Sequence, residues 1–600
     1  MRAQFLIVWG LGLSGCGRDP IAADSDTTPE PIIEETRVYL EDVDFLIRVS
    51  TALRGIRPSV DEMASVRADP AVLDEIIDGY LASPEFLEVM KDLHSEMLLL
   101  RTDAIPQLPA LGLMDRENSG SLYQSTTGEP LELIRYIIEN DRPYTEVVTA
   151  DYLLADRVVA DIYDLDYDDA GPTWQVTQYS DGRPPAGLLS SPEMMLRHES
   201  NAANFHRARA NFVASAFLCE DFNDRDITVE GGIDIADEFE VANAVRTHPA
   251  CVNCHQTLDP LAAYFWGFRG TIHANEIVQA YDDNCSWDFS DGTNPTLGPS
   301  YLPEYYCYPL KQYTVADESE WQTWDLREPS FYGQPARDLS DVGELIANDP
   351  RFAQCMSRQF FGWLAHLEPE DVPMETVVSL QSTFVDSGFD AKALARAVIL
   401  HESFRASGDS VSGGGHLVAR MRSIRPEQYA RTVEDLTGYR WFANVDGQSC
   451  DDGPRGDECW GTVDLSSSDR YGFRTMAGGI DGYYTVRPIH VPTPIKLLVN
   501  GQLANDAAAW VVDADALLAP EDRRLFAEID LSATHEAGVR GQLVALYERL
   551  YGEQIDPYGE EADEAWELFS VFLDSSGRDA TRAWKVTLGT LLQDPRMLWY

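Results

Sequence analysis

Apolar residues recur at three- and four-residue spacing along most of the chain, the period of an amphipathic α-helix. Val43, Leu46, Ile47 and Leu53 form one stripe, with Ser50 in register, and Leu73, Ile76, Ile77 and Tyr80 form another. The second stripe ends at Leu81-Ala82-Ser83-Pro84-Glu85-Phe86. Related layouts recur at Leu345-Ile346-Ala347-Asn348-Asp349-Pro350-Arg351-Phe352 and at Leu591-Leu592-Gln593-Asp594-Pro595-Arg596-Met597. In each, a Ser or Asp precedes a Pro, so its side chain can cap a new helix whose first residue is the Pro. Leu53-Arg54-Gly55-Ile56-Arg57-Pro58 and Leu550-Tyr551-Gly552-Glu553-Gln554-Ile555-Asp556-Pro557 also match in layout. The pattern predicts repeated α-helical modules of about 60 residues; convergent use of one capping chemistry is the alternative.

Two stretches break the helical texture. Residues 106–185 mix helix signals around Leu131 to Ile138 with Gly, Pro and Asp clusters, and residues 271–337 are rich in Tyr, Trp, Pro and Gly. Both read as loop-rich insertions that flank a central segment at 186–270 and are placed to act as lids. Helical modules are expected at 38–105, 338–409 and 410–600, the last opening on the Ser410-Val411-Ser412-Gly413-Gly414-Gly415 linker. The expected fold class is therefore mainly α, with multi-helical modules around the central segment and two insertions.

The N-terminus adds a compartment. Met1-Arg2 precedes a short apolar run from Phe5 to Leu13, too short to span a bilayer and shaped like a secretory signal. Leu13-Ser14-Gly15-Cys16 resembles a bacterial lipobox, which implies a signal over residues 1–16 and a mature chain starting at a lipidated Cys16. Several acyl chains on one residue make a stable anchor. An ordinary signal peptide is the alternative. Gly17 rather than Asp after the Cys implies, by the same resemblance, the outer membrane. Residues 17–37 read as a flexible acidic tether, and no later segment is apolar enough to span.

Charge narrows the partners. With 100 acidic against 46 basic residues, the formal charge is −54. Such a surface repels nucleic acid and anionic headgroups and attracts cations or a basic partner. A solvated acidic coat is the plainer reading. The run from Asp161 to Asp169 could bind calcium but lacks the Gly and terminal Glu of the EF-hand loop, so an acidic loop is preferred.

The chemistry is concentrated in Cys251-Val252-Asn253-Cys254-His255. Two thiols one helical turn apart can form thioethers to the two vinyl groups of one haem, and the following His then lies under the iron. With nine Cys and eleven His in 600 residues, chance gives about 0.0025 such runs. A zinc ribbon would need a second Cys-x-x-Cys, which the chain lacks. A thioredoxin-like dithiol would need a βαβ context. The segment 186–270 is thus expected to hold one covalent haem c, with His255 as its iron ligand. Covalent haem attachment outside the cytoplasm agrees with the export signal.

Six cysteines then remain, an even number in an oxidising compartment, with fifteen possible pairings. Cys450 and Cys459 bracket one polar loop and Cys285 and Cys307 bracket an aromatic one, which suggests two local pairs and leaves Cys219 with Cys355. Free, buried thiols are the alternative.

Thr247-His248-Pro249-Ala250-Cys251-Val252-Asn253-Cys254-His255-Gln256-Thr257-Leu258-Asp259-Pro260-Leu261 resembles the NPxCxxCHxxxDPLG signature of the large multidomain cytochrome proteins of planctomycetes, also found in myxobacteria. Gly187 through Cys219 is similar to the segment before that signature, and Asp349 through Phe404 to the domain after it. Ile424-Arg425-Pro426-Glu427-Gln428-Tyr429 and Asp435-Leu436-Thr437-Gly438 are similar to a further helix of the family. The resemblance implies haem c and a Cys219–Cys355 disulfide. It departs after the motif, where Ala262-Ala263-Tyr264-Phe265-Trp266-Gly267-Phe268 implies bulkier, more aromatic haem surroundings.

A low-spin electron carrier needs a sixth ligand, Met or His. Met194, Met195, His198 and His206 are the candidate distal ligands, each with a plainer role in the core or as a cap. Asp259-Pro260 is expected to shape the turn after the haem helix, since Pro removes a helix donor, and His248 to contact a propionate or cap. The expected function is one-electron transfer by a mono-haem cytochrome lipoprotein of the periplasm or cell surface, exchanging electrons with a redox partner. The alternatives are a haem oxidoreductase, either a peroxidase or an electron-accepting subunit, and a surface polysaccharide scaffold built on the aromatic insertion from Trp287 to Trp324. No Ser-His-Asp, P-loop or HExxH arrangement supports hydrolytic or nucleotide chemistry.

Overall fold

A computed structural model describes residues 37–100, 119–200, 204–225, 233–234, 236–269, 313–324, 326–409, 421–444, 462–466, 471–482 and 484–600. The signal with Cys16, the tether up to residue 36, Cys285, Cys307, Cys450, Cys459 and the linker from Ser410 to Gly415 lie outside the described residues.

The chain is mainly α. A short strand, β1 (Arg37–Tyr39), leads into α1 (Asp42–Arg54), α2 (Val60–Ala68), α3 (Leu73–Leu81) and α4 (Pro84–Leu98). Their boundaries follow the capping chemistry in the sequence. Gly55 closes α1 at φ 68°, a left-handed conformation that favours glycine. Ser59 and Glu62 form a capping box on α2. The Ser83 hydroxyl accepts the Phe86 N–H at 3.3 Å, with Pro84 as the first residue of α4.

The next stretch carries α5 (Ser119–Glu139), α6 (Glu146–Thr149), the antiparallel hairpin of β2 (Leu153–Ala155) and β3 (Gln175–Thr177), and α7 (Arg157–Tyr163). Its acidic loop is pinned by Arg157, which reaches Asp161 at 3.1 Å and Asp169 at 2.6 Å. Then come α8 (Pro192–Arg197), α9 (Arg207–Leu218), α10 (Glu238–Thr247) and α11 (Pro249–Ala262), which carries the Cys-x-x-Cys-His run.

Beyond the aromatic stretch lie α12 (Leu339–Ala347), α13 (Pro350–Ala365), α14 (Met374–Asp386), α15 (Ala391–Leu400) and α16 (Glu402–Arg405). The strand β4 (Ala406–Asp409) returns to pair antiparallel with β1. The last part holds α17 (Pro426–Thr437), the pair β5 (Phe442–Asn444) and β6 (Thr462–Asp464), α18 (Phe473–Met476), α19 (Pro494–Ala516), α20 (Glu536–Tyr551), α21 (Glu560–Ser575), α22 (Ala580–Leu592) and α23 (Pro595–Leu598).

The Asp-Pro-Arg layouts share one local structure. Asp349 accepts the Arg351 N–H at 2.9 Å and is forked by its guanidinium; Asp594 and Arg596 repeat this with the same backbone distance. Each Asp both caps the helix and holds a bidentate cation.

The helical modules interlock. One continuous apolar core runs from Phe45 in α1 to Tyr600, with a smaller cluster around β2 and α7. A Cβ on Gly552, which closes α20 at φ 76°, would lie 2.8 Å from Ile47 Cδ1, so α1 packs against that turn. Arg422 and Tyr600 exchange backbone hydrogen bonds of 2.8 and 3.0 Å, tying the C-terminus to the entry of α17. Gly267 N-terminal to Phe268 is required where the chain leaves the central segment, because a Cβ there would lie 2.5 Å from the Tyr313 ring. Phe268 and Tyr313 form an antiparallel bridge, so the aromatic stretch leaves and rejoins the body at one place. Among the described residues no helix is long and apolar enough to cross a membrane.

Cys219, at the end of α9, and Cys355, in α13, are joined by a disulfide across a sequence separation of 136. Closing so long a loop removes much denatured-state entropy. Replacing both residues with Ser is expected to destabilise the protein by about 2–5 kcal/mol, read as a lower midpoint in denaturant unfolding; an unchanged midpoint contradicts this role.

Candidate haem site

The site is built on α11. Pro249 occupies the first turn, where its missing N–H costs nothing; Cys251 lies on that turn, and Cys254 and His255 lie side by side on the next. Both thiols are free, Cys251 partly exposed and Cys254 buried with its sulfur 4.0 Å from the Phe222 carbonyl oxygen. Arg225 donates to the Asn253 carbonyl at 3.0 Å and fixes the outer side of the helix.

The turn expected at Asp259-Pro260 is not a turn. The helix continues to Ala262 with Pro260 inside it. Proline's φ suits a helix, so its cost is one lost N–H bond and a ring contact one turn back, and near the helix end the rest of the ladder carries this. The consequence is chemical. Because the helix persists, Asp259 lies four residues from His255 on one face, and its Oδ1 accepts the His255 Nδ1–H at 2.8 Å. Arg207, the first residue of α9, forks the same carboxylate with Nε–Oδ1 at 2.7 Å and Nη2–Oδ2 at 3.1 Å. Asp259 is only 5 % exposed. Burial alone would push its carboxyl up, but hydrogen bonds from His255 and Arg207 more than offset this and hold it below the ordinary carboxylate value.

This geometry fixes the His255 tautomer. With the proton on Nδ1, the neutral ring keeps its lone pair on Nε2, the atom a metal would take. Two further nitrogens near the ends of α11 lack hydrogen-bond partners, His248 Nδ1 at its start and Trp266 Nε1 just beyond its end. His248 therefore makes no side-chain cap, although it occupies the N-cap position. Two free thiols a turn apart, a His with a committed Nδ1 and unpartnered N–H-bearing rings at both ends form a donor set that fits a covalently held haem and its propionates. Among the described residues no group of three or more His, Cys, Asp or Glu is arranged to hold a bare metal ion.

The four candidate distal ligands lie on α8 and on the segment leading into α9. Met194 and Met195 are buried in the main core. The His198 ring stacks on Phe212 with centroids 3.5 Å apart, and its Nε2 donates to the Leu98 carbonyl at 3.3 Å. His206, at φ 62°, packs its ring 4.9 Å from that of Trp266. Its Nδ1 sits 2.8 Å from Arg209 Nη1, and since Arg only donates, this nitrogen accepts. The His206 proton is therefore on Nε2, which acts as a donor in this arrangement. Burial pushes both rings down to about 3, so both are neutral. Arg209 also donates to the carbonyls of Met195, His198 and Arg269, welding α8 and the exit of the central segment to α9.

The aromatic run that follows the motif is packed into the body of the protein. Tyr264, Phe265, Trp266 and Phe268 are all buried, and Phe205 packs near both Trp266 and Trp324. Arg207 and Asp259 are the site residues that sequence reading missed as partners of His255. The four-residue spacing of His255 and Asp259 was the available signal, obscured by assigning a turn to Pro260. Arg207 lies 52 residues away and had no local signal.

No family model, curated protein or solved structure matches the chain.

A second buried polar group adjoins the candidate ligands. Glu193 of α8 and Glu129 of α5 are both buried, and Ser191 donates to Glu129 at 2.5 Å. Burial raises Glu129 to about 7 and Glu193 to about 8, from ordinary values of 4.5. The folded chain thus holds these protons more tightly than the unfolded one, so stability is lost as pH rises from 4.5 through 8. Glu193→Gln is expected to gain on the order of 4 kcal/mol relative to the parent between pH 5 and pH 9, read from unfolding at both pH values; a constant difference contradicts the assignment.

Proposed function

We propose that this chain is a mono-haem c-type cytochrome lipoprotein of the outer membrane, facing the periplasm or the cell surface, that passes single electrons to or from a redox partner. The observation that carries the reading is the Cys251, Cys254 and His255 triad on α11, with His255 Nδ1 committed to Asp259 and Nε2 left as a lone pair. Bound there, haem c would supply a one-electron iron couple. The residues of the chain would do the rest. Cys251 and Cys254 tether the group, Asp259 and Arg207 orient the ligand ring, and the aromatic cluster from Tyr264 to Phe268 keeps water away. The surplus of acidic side chains favours a basic partner face.

His206 favours a second reading. An Arg209 bond on Nδ1 makes its Nε2 a donor rather than a ligand, which suits an open sixth iron position and a haem oxidoreductase such as a peroxidase. Spin state separates the two readings.

Protein matured in a host with working cytochrome c assembly is expected to give one haem per chain by pyridine haemochrome, resistant to acid–acetone extraction. A six-coordinate, low-spin visible spectrum supports electron transfer, and a high-spin one supports the oxidoreductase. Colourless protein, or haem that extracts, contradicts both.

A further inference from the structure

We propose that Asp259 is a positioning residue that sets the potential of the haem iron through His255, with Arg207 as the counter-charge that moderates it. The inference rests on the haem c reading and adds a direction to it. Three distances define the unit: His255 Nδ1 to Asp259 Oδ1 at 2.8 Å, and Asp259 to Arg207 at 2.7 and 3.1 Å through its two oxygens. The Asp259 side chain is 5 % exposed and that of His255 22 %, so the hydrogen bond is shielded most on the carboxylate side.

A carboxylate acceptor on Nδ1 gives the ring partial imidazolate character and raises the donor strength of Nε2. Its negative charge, close by in a low-dielectric setting, favours the ferric over the ferrous state. Both effects lower the potential. Arg207 works in the opposite sense. Its fork occupies the carboxylate lone pairs and cancels part of the charge, so its removal leaves Asp259 a stronger acceptor. A merely structural pair would not produce shifts of opposite sign.

The test is potentiometry on matured wild type, Asp259→Asn, Asp259→Glu and Arg207→Gln, each first checked for one covalent haem per chain by pyridine haemochrome. Asp259→Asn is expected to lower the Fe(III)/Fe(II) ratio at fixed potential at least threefold, about 28 mV upward on the 59 mV-per-decade one-electron scale. Arg207→Gln is expected to raise that ratio, and Asp259→Glu to return toward wild type. A haem-loaded Asp259→Asn within threefold of wild type overturns the proposal and leaves the cytochrome reading standing. So do Asp259→Asn and Arg207→Gln shifts of the same sign. If Asp259→Asn takes up no haem, Arg207→Gln decides alone; if both variants lose haem while wild type holds it, the pair is structural and the tuning role fails. Wild type without haem overturns the proposal and the cytochrome reading together.

Discussion

A buried carboxylate shared between two helices is the constraint on which the site depends. Asp259 is nearly fully shielded from water, and an ionised carboxylate in that position is stable only if its oxygens are occupied. The two donors that occupy them come from different elements, His255 one turn earlier on α11 and Arg207 at the first residue of α9. Satisfying the charge therefore fixes the ring of His255 and the register of α9 against α11 together. Removing either partner leaves the charge under-compensated, so the arrangement resists small displacements of either helix.

The surrounding structure holds that contact in place. Arg209, two residues after Arg207, donates to carbonyls from α8 and from the exit of the central segment, so α9 is bound on both flanks. The other end of α9 is joined to α13 by the Cys219–Cys355 disulfide. Next to it, Glu220 accepts from Arg351 at 2.8 Å and from the Tyr332 hydroxyl at 2.6 Å, and it also pairs with Arg225, whose other nitrogen reaches the Asn253 carbonyl of α11. The exit at Gly267 is closed by Tyr313 and by the buried Arg183, stacked 3.8 Å over the Tyr179 ring. Covalent, ionic and apolar links thus converge on two helices, as expected where a ligand atom must be held to within a fraction of an ångström.

Much of the fold was legible in the sequence because its signals are local. Ser83, Asp349 and Asp594 each precede a Pro and cap the helix they predict, and Gly55 and Gly552 close helices in the left-handed conformation. The mainly α class follows from the same three- and four-residue spacing. What the sequence did not show is non-local or contrary to a local rule. The pairing of β1 with β4, where the Ser407 hydroxyl donates to the Val38 carbonyl across 369 residues, leaves no periodic trace. Likewise, the packing of α1 on the Gly552 turn depends on shape rather than pattern. Within the site, Cys251, Cys254 and His255 were legible from spacing alone. Asp259 was hidden by Pro260, whose rule as a helix breaker yields near a helix end, and Arg207 by its distance along the chain.

The account reduces to two sulfur atoms on α11 being bonded to a porphyrin. The most direct measurement is the mass of the peptide spanning Cys251 to His255, released by protease from denatured, iodoacetamide-treated protein that was matured in a cytochrome-competent host. The account predicts that this peptide carries the mass of one haem and no alkyl group. The same peptide bearing two alkylated cysteines and no haem would contradict it.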